Sequence, residues 1–483
     1  MTISTSTRLA GLLSLLCLFC LALNAAQPPR LHVQTISILG TQKTKKAVIL
    51  RELTFAEGDS LEAAELAAIM SRNQQNVYNL GLFNKVEFDY ETLEGKLYVF
   101  ILVKERWYIF PRPHLRVEER NTYDLISAIG SGNFNRLAYG MFVKWRNVGG
   151  YNETLQFYGQ LGFSKRLYID FLRPAIFPRE RIDMIMGFHH VNEKEVIYGS
   201  EEGRVRWGRI ETEASQKSFN AYLGFRKRFS VFNSLYAELS FKNYLFADSI
   251  YTFQLYGEPA RFITNPHGRE YYPRLLLSYV NDRRDLRSFP TQGYKYQLFG
   301  SISGFPGMSS TRFAKIGGTW AHHLPLSRRW NFSYGTHHIY TIGKKLPFFA
   351  KSAIGVNRRD FPGISTTLRG YEPYLIDGSY VMMTKAELKY GLLPRKMFHL
   401  DAIPFAKFQD FPLGIYLTAF FDLGYVSDQS ISNQDQFFKN KWLTGYGAGL
   451  NIIGIYDLLL RVEYARNHLG QGGIYLHSSV QIK

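Results

Sequence analysis

Most of the chain alternates apolar and polar positions with the period of a β-strand. From about Tyr123 to the C-terminal end, about sixteen such segments follow one another, a number within the range known for membrane barrels. In Lys217–Phe229 and Asn233–Leu245, every second residue is apolar and those between are mostly polar, small or charged. Because side chains alternate across a strand, each segment has one apolar and one polar face. The pattern predicts a transmembrane antiparallel β-barrel over 123–483, with a large soluble β-protein as the alternative.

The connections between these segments alternate in length. Short turns lie at 230–232, 326–328 and 454–456, and longer loops lie near 192–216, 246–271, 344–379 and 428–440. Short periplasmic turns and long external loops are typical of outer-membrane barrels. Leu392–Gly414 breaks the pattern, because it is long for a periplasmic connection and contains prolines and an aromatic cluster. It is interpreted as a small lid, a partner site or an error in the strand count.

Residues 31–105 have a different pattern, with helical as well as strand-like periods. The segments follow in the order strand, helix, helix, strand, strand: Val33–Ile38, Lys45–Leu53, Glu62–Leu80, Phe83–Tyr90 and Lys96–Val103. The second helix carries apolar residues at helical spacing and ends at Gly81. A unit of about 75 residues can bury one small core. The module is therefore predicted to be a separate α+β domain, followed by a linker at 106–122.

The first 26 residues are interpreted as a secretory signal peptide. Arg8 precedes an apolar run over Leu9–Leu23, and small residues follow at the expected cleavage point. A membrane anchor is the alternative, but the run is short for a span of about 20 residues. Both cysteines of the chain, Cys17 and Cys20, lie in this segment. The mature chain is therefore expected to lack disulfides, thiolate metal sites and a cysteine nucleophile.

Composition strengthens the barrel interpretation. Aromatic residues make up 16% of the chain, whereas the mean hydropathy is only −0.18. Many aromatics without long apolar runs are typical of barrels whose outward apolar residues alternate with lumenal polar ones. The net charge of +18 indicates contact with anions, such as lipid phosphates or an acidic client. Nucleic acid is not an expected partner, because the signal peptide directs the chain out of the cytoplasm.

One loop carries a candidate functional site. It contains the tetrapeptide Leu368, Arg369, Gly370 and Tyr371. Later segments place Glu387 and Asp422 on the face opposite their apolar stripe. Arg369 on an inward-folded loop could reach both carboxylates and form a charge-assisted, bidentate lock. The plainer interpretation is a structural strut for the loop, and we expect activity to depend on that strut.

Other motifs do not indicate catalysis or metal binding. Three histidine pairs, at 189–190, 322–323 and 337–338, lie in strand-like segments. Neighbouring residues of a strand point to opposite faces, so such a pair cannot chelate one ion. A glycine-rich stretch at 445–449 has no helix after it and is interpreted as small lumenal packing rather than a phosphate loop. The chain is predicted not to be an enzyme and to need no cofactor or metal.

The first module resembles a POTRA domain, the periplasmic polypeptide-transport-associated module. The positions that carry the resemblance include Gly40, Gly58, Gly81 and Phe83. Such a module has an exposed sheet edge that can accept an extended client segment by strand addition. These residues could also serve only to close the small core, and the sequence does not identify which edge would bind.

With both modules placed, nearly the whole mature chain resembles the BamA/TamA superfamily of outer-membrane assembly barrels, also called the bacterial surface antigen family. The motifs around Arg369, Glu387 and Asp422 match the family's arginine–glycine–aromatic loop and its two acceptors. The family's mid-barrel turn motif matches at Asp282, Arg283, Asp285, Pro290 and Gly293.

The resemblance implies insertion or translocation of polypeptides at the outer membrane of a Gram-negative-type bacterium, without nucleotide hydrolysis. Clients would add to a weak seam between the first and last barrel strands, here 123–132 and 474–482. The seam strands include Gly130, Gly132, Ile474 and Ile482. The POTRA-like domain would lie in the periplasm. Expected partners are outer-membrane lipids, extended client polypeptides and outer-membrane lipoproteins or other components of an assembly machine.

Two features differ from the general insertase of the family. The chain has one POTRA-like module rather than several, and its last residue is Lys483 instead of a terminal aromatic. These differences favour a restricted client set or an accessory role. A passive, anion-preferring pore or a lipid-handling barrel with the same fold is the alternative function.

Overall fold

The structure, a computed structural model, describes residues 30–117, 137–209, 214–248, 254–255, 258–259, 268–344, 346–355, 367–428, 437–454, 456 and 458–480. The predicted signal peptide and the predicted seam residues Gly130, Gly132 and Ile482 lie outside these ranges. No helix within them is both long and apolar enough to cross a membrane.

The N-terminal domain is built from four strands and two α-helices. The strands are β1 (Arg30–Leu39), β2 (Ser60–Glu62), β3 (Phe83–Leu93) and β4 (Lys96–Glu105), in the spatial order β2-β1-β4-β3. The helices are α1 (Lys46–Leu50) and α2 (Leu66–Tyr78). β1 and β4 run parallel, and the other two pairs are antiparallel. The predicted order of strands and helices is confirmed, and the short strand β2 is added to it.

The buried side chains that alternate along β4 close the core of this domain. Leu97 and Val99 are fully buried and share one apolar cluster with Val77 of α2. Gly40 follows β1 with φ +86°, and a Cβ at this position would lie 2.0 Å from the carbonyl oxygen of Val103. Because glycine has no Cβ and tolerates positive φ, it fits where β1 leaves the sheet.

The second module is one sheet of sixteen antiparallel strands arranged in chain order. The strands are β5 (Ile109–Val117), β6 (Leu137–Arg146), β7 (Thr154–Gly162), β8 (Lys165–Phe177), β9 (Ile182–Glu193), β12 (Gln216–Arg228), β13 (Asn233–Phe246), β16 (Arg269–Asp282), β17 (Gly293–Ser303), β18 (Phe313–Pro325), β19 (Trp330–Ile342), β22 (Tyr380–His399), β23 (Asp410–Ser427), β24 (Trp442–Ile453), β25 (Leu458–Asn467) and β26 (Gly472–Val480). Hairpins in the loops pair β10 (Glu195–Glu201) with β11 (Arg204–Arg209), β14 (Gln254–Leu255) with β15 (Glu258–Pro259), and β20 (Ser352–Gly355) with β21 (Leu375–Gly378). The predicted barrel fold is confirmed.

The outer face of this sheet is apolar and its inner face is polar. In β13, Leu239 is 60% exposed, whereas its neighbours Glu238 and Ser240 are buried. Leu298 of β17 and Ile316 of β18 are also exposed. Apolar residues on the exposed face and covered polar residues on the other are the arrangement expected of a membrane barrel with a polar lumen.

The first barrel strand begins earlier than predicted. β5 lies within 106–122, so the prediction of a linker is wrong for 109–117. Pro111 and Pro113 favour the linker interpretation, because proline is rare inside a sheet. β5 pairs only with β6 among the described strands, and a proline on such an edge strand can point its missing N–H away from the neighbour. The predicted first strand, 123–132, lies outside the described residues.

The long connection at 392–414 continues two strands and is not an error in the strand count. β22 and β23 stay paired as far as His399 and Asp410, with two bulges around Leu393. The short helix α3 (Ala406–Gln409) closes this hairpin, which we call the ribbon (residues 391–414). Lys104 of β4 reaches Asp410 at 2.5 Å, so the ribbon contacts the N-terminal domain. Its roles as a lid or a partner site stay predictions.

Candidate functional site

The described part of the loop before β21, residues 367–374, folds inwards and is held by apolar residues on both sides of Arg369. Leu368 and Tyr371 are fully buried and share one cluster with Val381 of β22. Gly370 adopts φ +86°, a conformation that favours glycine. The tetrapeptide therefore turns sharply between two buried side chains, and Arg369 points from that turn toward the lumenal wall.

Arg369 binds the two carboxylates that the sequence predicts. Its Nε donates to Oδ2 of Asp422 at 2.8 Å, and its Nη2 donates to Oδ1 of the same residue. Its Nη1 donates to Oε1 of Glu387 at 2.6 Å. The Arg369 side chain is 5% exposed and the Asp422 side chain is fully buried. The contact with Asp422 is thus a bidentate ion pair removed from solvent, which is a strong and geometrically specific pair.

Two further contacts of Arg369 are missing from the sequence prediction. Glu463 on β25 accepts from Nη1 at 3.4 Å, and its side chain is 2% exposed. The ring of Phe420 lies 3.8 Å from the guanidinium carbon, in cation–π geometry. We call Arg369, Glu387, Asp422, Glu463 and Phe420 the lock. The sequence offered one signal, because Glu463 falls on the polar, lumenal face of its strand. The contact was missed because Glu463 lies far from the loop in sequence.

Glycine and lysine residues complete the site. A Cβ at Gly445 would lie 2.0 Å from the carbonyl oxygen of Arg369, so the loop backbone lies directly on β24. This close contact explains why glycine is needed at one position of the stretch 445–449, which is predicted to be lumenal packing. Lys385 donates to the carbonyl oxygen of Thr367 at 2.6 Å, and Lys389 lies 3.4 Å from Glu387. The geometry fixes the loop against β22, β23, β24 and β25.

The mid-barrel turn motif lies against the N-terminal domain. Asp285 accepts from the backbone N–H of Thr291 at 3.0 Å, and its own carbonyl oxygen accepts from Asn79 of the N-terminal domain at 2.8 Å. Gly293 has φ +96°, and a Cβ there would lie 2.2 Å from the carbonyl oxygen of Arg283. Asp282 and Pro290 lie in the same turn region. The motif residues thus shape a turn that contacts the N-terminal domain.

Buried polar contacts join the N-terminal domain to the barrel. Glu52 accepts two hydrogen bonds from Arg228, at 2.6 and 2.7 Å. Burial raises the pKa of Glu52, but the hydrogen bonds and positive charge of Arg228 outweigh burial and hold the pKa below its ordinary value. Arg146 of β6 donates to the carbonyl oxygens of Leu80 and Gly81, both at 2.7 Å. Gly81, which the sequence predicts to end the second helix, instead lies three residues beyond the last residue of α2, Tyr78, and its carbonyl oxygen contacts the barrel.

The remaining predicted POTRA-like positions differ in their surroundings. Phe83 is fully buried in the core of the N-terminal domain. Gly58 has φ +94°, but no atom lies within 4 Å of the position that its Cβ would take. Phe83 thus closes the core, whereas Gly58 is required only by its backbone conformation.

β5 and β26 are the end strands of the sheet, and no backbone pairing joins them within the described part of the chain. Ile474 of β26 is 77% exposed, and Leu115 of β5 is 74% exposed. An end strand presents N–H and C=O groups that can pair with another chain. Ile474 is the described member of the predicted seam residues, and the predicted partner strand lies outside the described ranges.

Comparisons with known proteins cover both modules. The family model described as "Omp85 superfamily domain" matches residues 147–467, which is more than half of the chain. The model described as "POTRA: Surface antigen variable number repeat" matches residues 31–106.

Individual relatives are distant in sequence. The chain is 22% identical over 281 residues to the outer membrane protein assembly factor BamA of Nitratidesulfovibrio vulgaris, a match covering 57% of this chain and 30% of that protein. The chain thus spans less than a third of that relative's length. CdiB from Escherichia coli aligns with 93% of this chain and 75% of its own, at 11% identity and a TM-score of 0.53, which shows a shared fold. BamA from Haemophilus ducreyi lacking POTRA domains 1–3 aligns with 93% and 84%, at 15% identity and a TM-score of 0.48.

Proposed function

The chain belongs to the Omp85 superfamily, and from this premise we propose that it inserts or exports client polypeptides at the outer membrane. The observation that carries the proposal is the pair of end strands, β5 and β26, whose described residues do not pair with each other, in a chain that also matches the POTRA model. A client segment would add to one of these edges by strand pairing and leave the lumen sideways through the seam. Nucleotide hydrolysis is not needed, because strand pairing and burial of apolar side chains in lipid supply the free energy.

The N-terminal domain would make the first contact with a client. Its sheet ends in β2, which has three residues, and in β3, which has eleven. The far half of β3, Asp89–Leu93, is exposed. A longer free edge offers more backbone groups for strand addition, so we assign client capture to β3.

The lock would support this function as a strut. It fixes the loop after β20 against strands close to the seam, since β25 pairs directly with β26. Loss of Arg369 is therefore expected to reduce activity through a displaced loop. The lock is not assigned a catalytic role, and the proposed activity requires no cofactor or metal.

The proposed setting is the outer membrane, with the POTRA domain in the periplasm. Outer-membrane lipids and extended client polypeptides are the proposed partners, and lipoproteins or other assembly-machine components are candidates for further partners. An anion-preferring pore or lipid-handling barrel receives less support, because several lumenal cations are paired. Arg226 contacts Asp183 at 2.6 Å, and Lys389 contacts Glu387 at 3.4 Å.

Depletion of the protein followed by quantification of the outer-membrane proteome tests the proposal. Broad loss of barrel proteins would indicate a general insertase, and loss of a few would indicate a dedicated factor. Complementation with a chain lacking 31–105 is expected to fail. An unchanged proteome, together with anion-selective conductance that persists without 31–105, would instead support the pore.

A further inference from the structure

Tyr456 lies in the turn between β24 and β25 and contacts residues on the other side of the seam. Its ring meets the ring of Phe110, near the start of β5, edge-on at 5.4 Å. The guanidinium of Arg106 lies 5.5 Å from the ring centroid, and the backbone N–H of Trp107 donates to the hydroxyl at 3.4 Å. Phe408 of the ribbon meets the same ring edge-on at 5.3 Å. Tyr456 therefore joins the beginning of the sheet to its C-terminal strands.

We call these five residues the clasp: Arg106, Trp107, Phe110, Phe408 and Tyr456. The conformation of Tyr456 is unusual for a bulky residue, with φ +56° and a side chain that is largely buried. A residue stays in this region of backbone conformation only where its surroundings fix it. The turn hydrogen bond from the Gly454 N–H to the carbonyl oxygen of Leu458, at 2.8 Å, and the ring contacts of the clasp together supply that restraint.

The two ends of the seam differ in their surroundings. The clasp lies at the periplasmic end, beside the connection from β4 to β5. Toward the other end, the described side chains Leu115 of β5 and Ile474 of β26 are 74% and 77% exposed. Side-chain contacts thus cross the seam where the N-terminal domain meets the barrel, whereas Leu115 and Ile474 face outward like the apolar residues on the rest of the sheet.

We infer that Tyr456 is a positioning residue that holds the periplasmic end of the seam closed, so that the seam opens from its extracellular end. The consequence of this inference for client insertion rests on the proposed function. The closed state of the seam does not rest on it, because distances across the seam can be measured without any client. A client segment would pair with the free edges only beyond the clasp, and the clasp would keep the first strand close to the last during insertion.

Spin-label distances across the seam test the inference. The chain has no cysteine after Cys20, so pairs of cysteines can be introduced into the mature protein without removing native thiols. Labels at Val143 and Leu458, on strands that flank the end strands, report the periplasmic end. Labels at Tyr139 and Tyr464, on the same strands, report the extracellular end. The distributions are measured by pulsed electron paramagnetic resonance on the folded full chain in lipid nanodiscs.

Tyr456→Ala removes two edge-to-face ring contacts and is expected to raise the open population at the periplasmic end by about tenfold. The extracellular distribution should change much less. Tyr446→Ala, which removes an exposed ring on β24, is the matched control and should leave both distributions as in the wild type. A folded Tyr456→Ala variant with a wild-type periplasmic distribution would overturn the inference.

Two more variants keep the test decisive. Tyr456→Phe retains the ring and should keep the wild-type distances, which separates ring packing from the hydroxyl contact. If Tyr456→Ala does not fold, Phe110→Ala removes one ring contact from the first-strand side and should broaden the periplasmic distribution alone. Client insertion is scored separately. If the distances behave as expected but the protein proves to have no clients, the proposed function is refuted and the role of the clasp stands.

Discussion

Replacing Arg369 by glutamine is expected to destabilise the folded barrel by about 3–5 kcal/mol, the usual cost of removing one partner from a buried ion pair. The magnitude follows from what the substitution leaves behind. Asp422 is fully buried, and the Glu463 side chain is 2% exposed, so both carboxylates lose their cation without gaining water. Glu387 is 23% exposed and keeps Lys389, so it adds little to the loss.

The assay is denaturant unfolding of the barrel refolded in detergent, followed by tryptophan fluorescence and by electrophoretic mobility of unheated samples. An unchanged m-value would show that the same surface unfolds in both proteins. Arg206→Gln is the control, because that arginine is half exposed beside Glu201. An exposed pair of this kind contributes about 0–1 kcal/mol.

A second substitution sharpens the test. Asp422→Asn in the Arg369→Gln background removes one of the two orphaned charges, so the double variant should be more stable than Arg369→Gln alone. The reasoning is refuted if Arg369→Gln folds and loses no more free energy of unfolding than the Arg206 control. We also expect Arg369→Gln to reach the outer membrane at a normal level and to lose activity there.

Three further predictions concern the domain interface and three glycines. The pKa of Glu52 is held below its ordinary value, so its contribution to docking is complete above the ordinary carboxyl pKa and is lost as the pH falls through the folded pKa. Protease protection of the interface with Arg228 should decrease below about pH 4, and Glu52→Gln should remove this dependence; an identical profile in the variant would contradict it. Gly40→Ala should destabilise the N-terminal domain more than Gly58→Ala in urea unfolding, because both have positive φ but only the first adds a Cβ 2.0 Å from a backbone oxygen. Equal losses of stability in the two variants would show that the positive φ alone, and not the close contact of the Cβ, determines the cost. Gly445→Ala should displace the loop that carries Arg369 and lower the free energy of unfolding by about 1–3 kcal/mol. New proteolysis in that loop would show the displacement, and a wild-type cleavage pattern would exclude the close contact.

Strand periodicity predicted the barrel because each strand has its own two-faced pattern. Lys217–Phe229 and Asn233–Leu245 closely match the bounds of β12 and β13, and exposed apolar and buried polar residues alternate in the middle of β13. The start of the barrel was harder to predict. Pro111 and Pro113 are compatible with an edge strand but not with an interior one, and whether a strand has one neighbour or two is a property of the sheet.

The lock was predictable only in part, for a similar reason. Arg369, Glu387 and Asp422 lie in motifs that a local pattern can identify. Glu463 and Gly445 become part of the site only because β24 and β25 follow β23 in the sheet, which brings them beneath the same loop. A carboxylate on the lumenal face is common, so its partner depends on the three-dimensional register and not on the local sequence.

The two prolines of β5 also limit how firmly any strand can be held at that edge. In an antiparallel pair every second residue directs its N–H away from the neighbour, and these positions in β5 include Pro111 and Pro113. Neither can donate, so an incoming segment meets acceptors at these positions without the matching donors. Each missing bond lowers the strength of attachment by about 0.5–1.5 kcal/mol. If clients add to β5 as proposed, this edge would be a reversible template, from which a paired segment dissociates more readily than from an edge with every donor present.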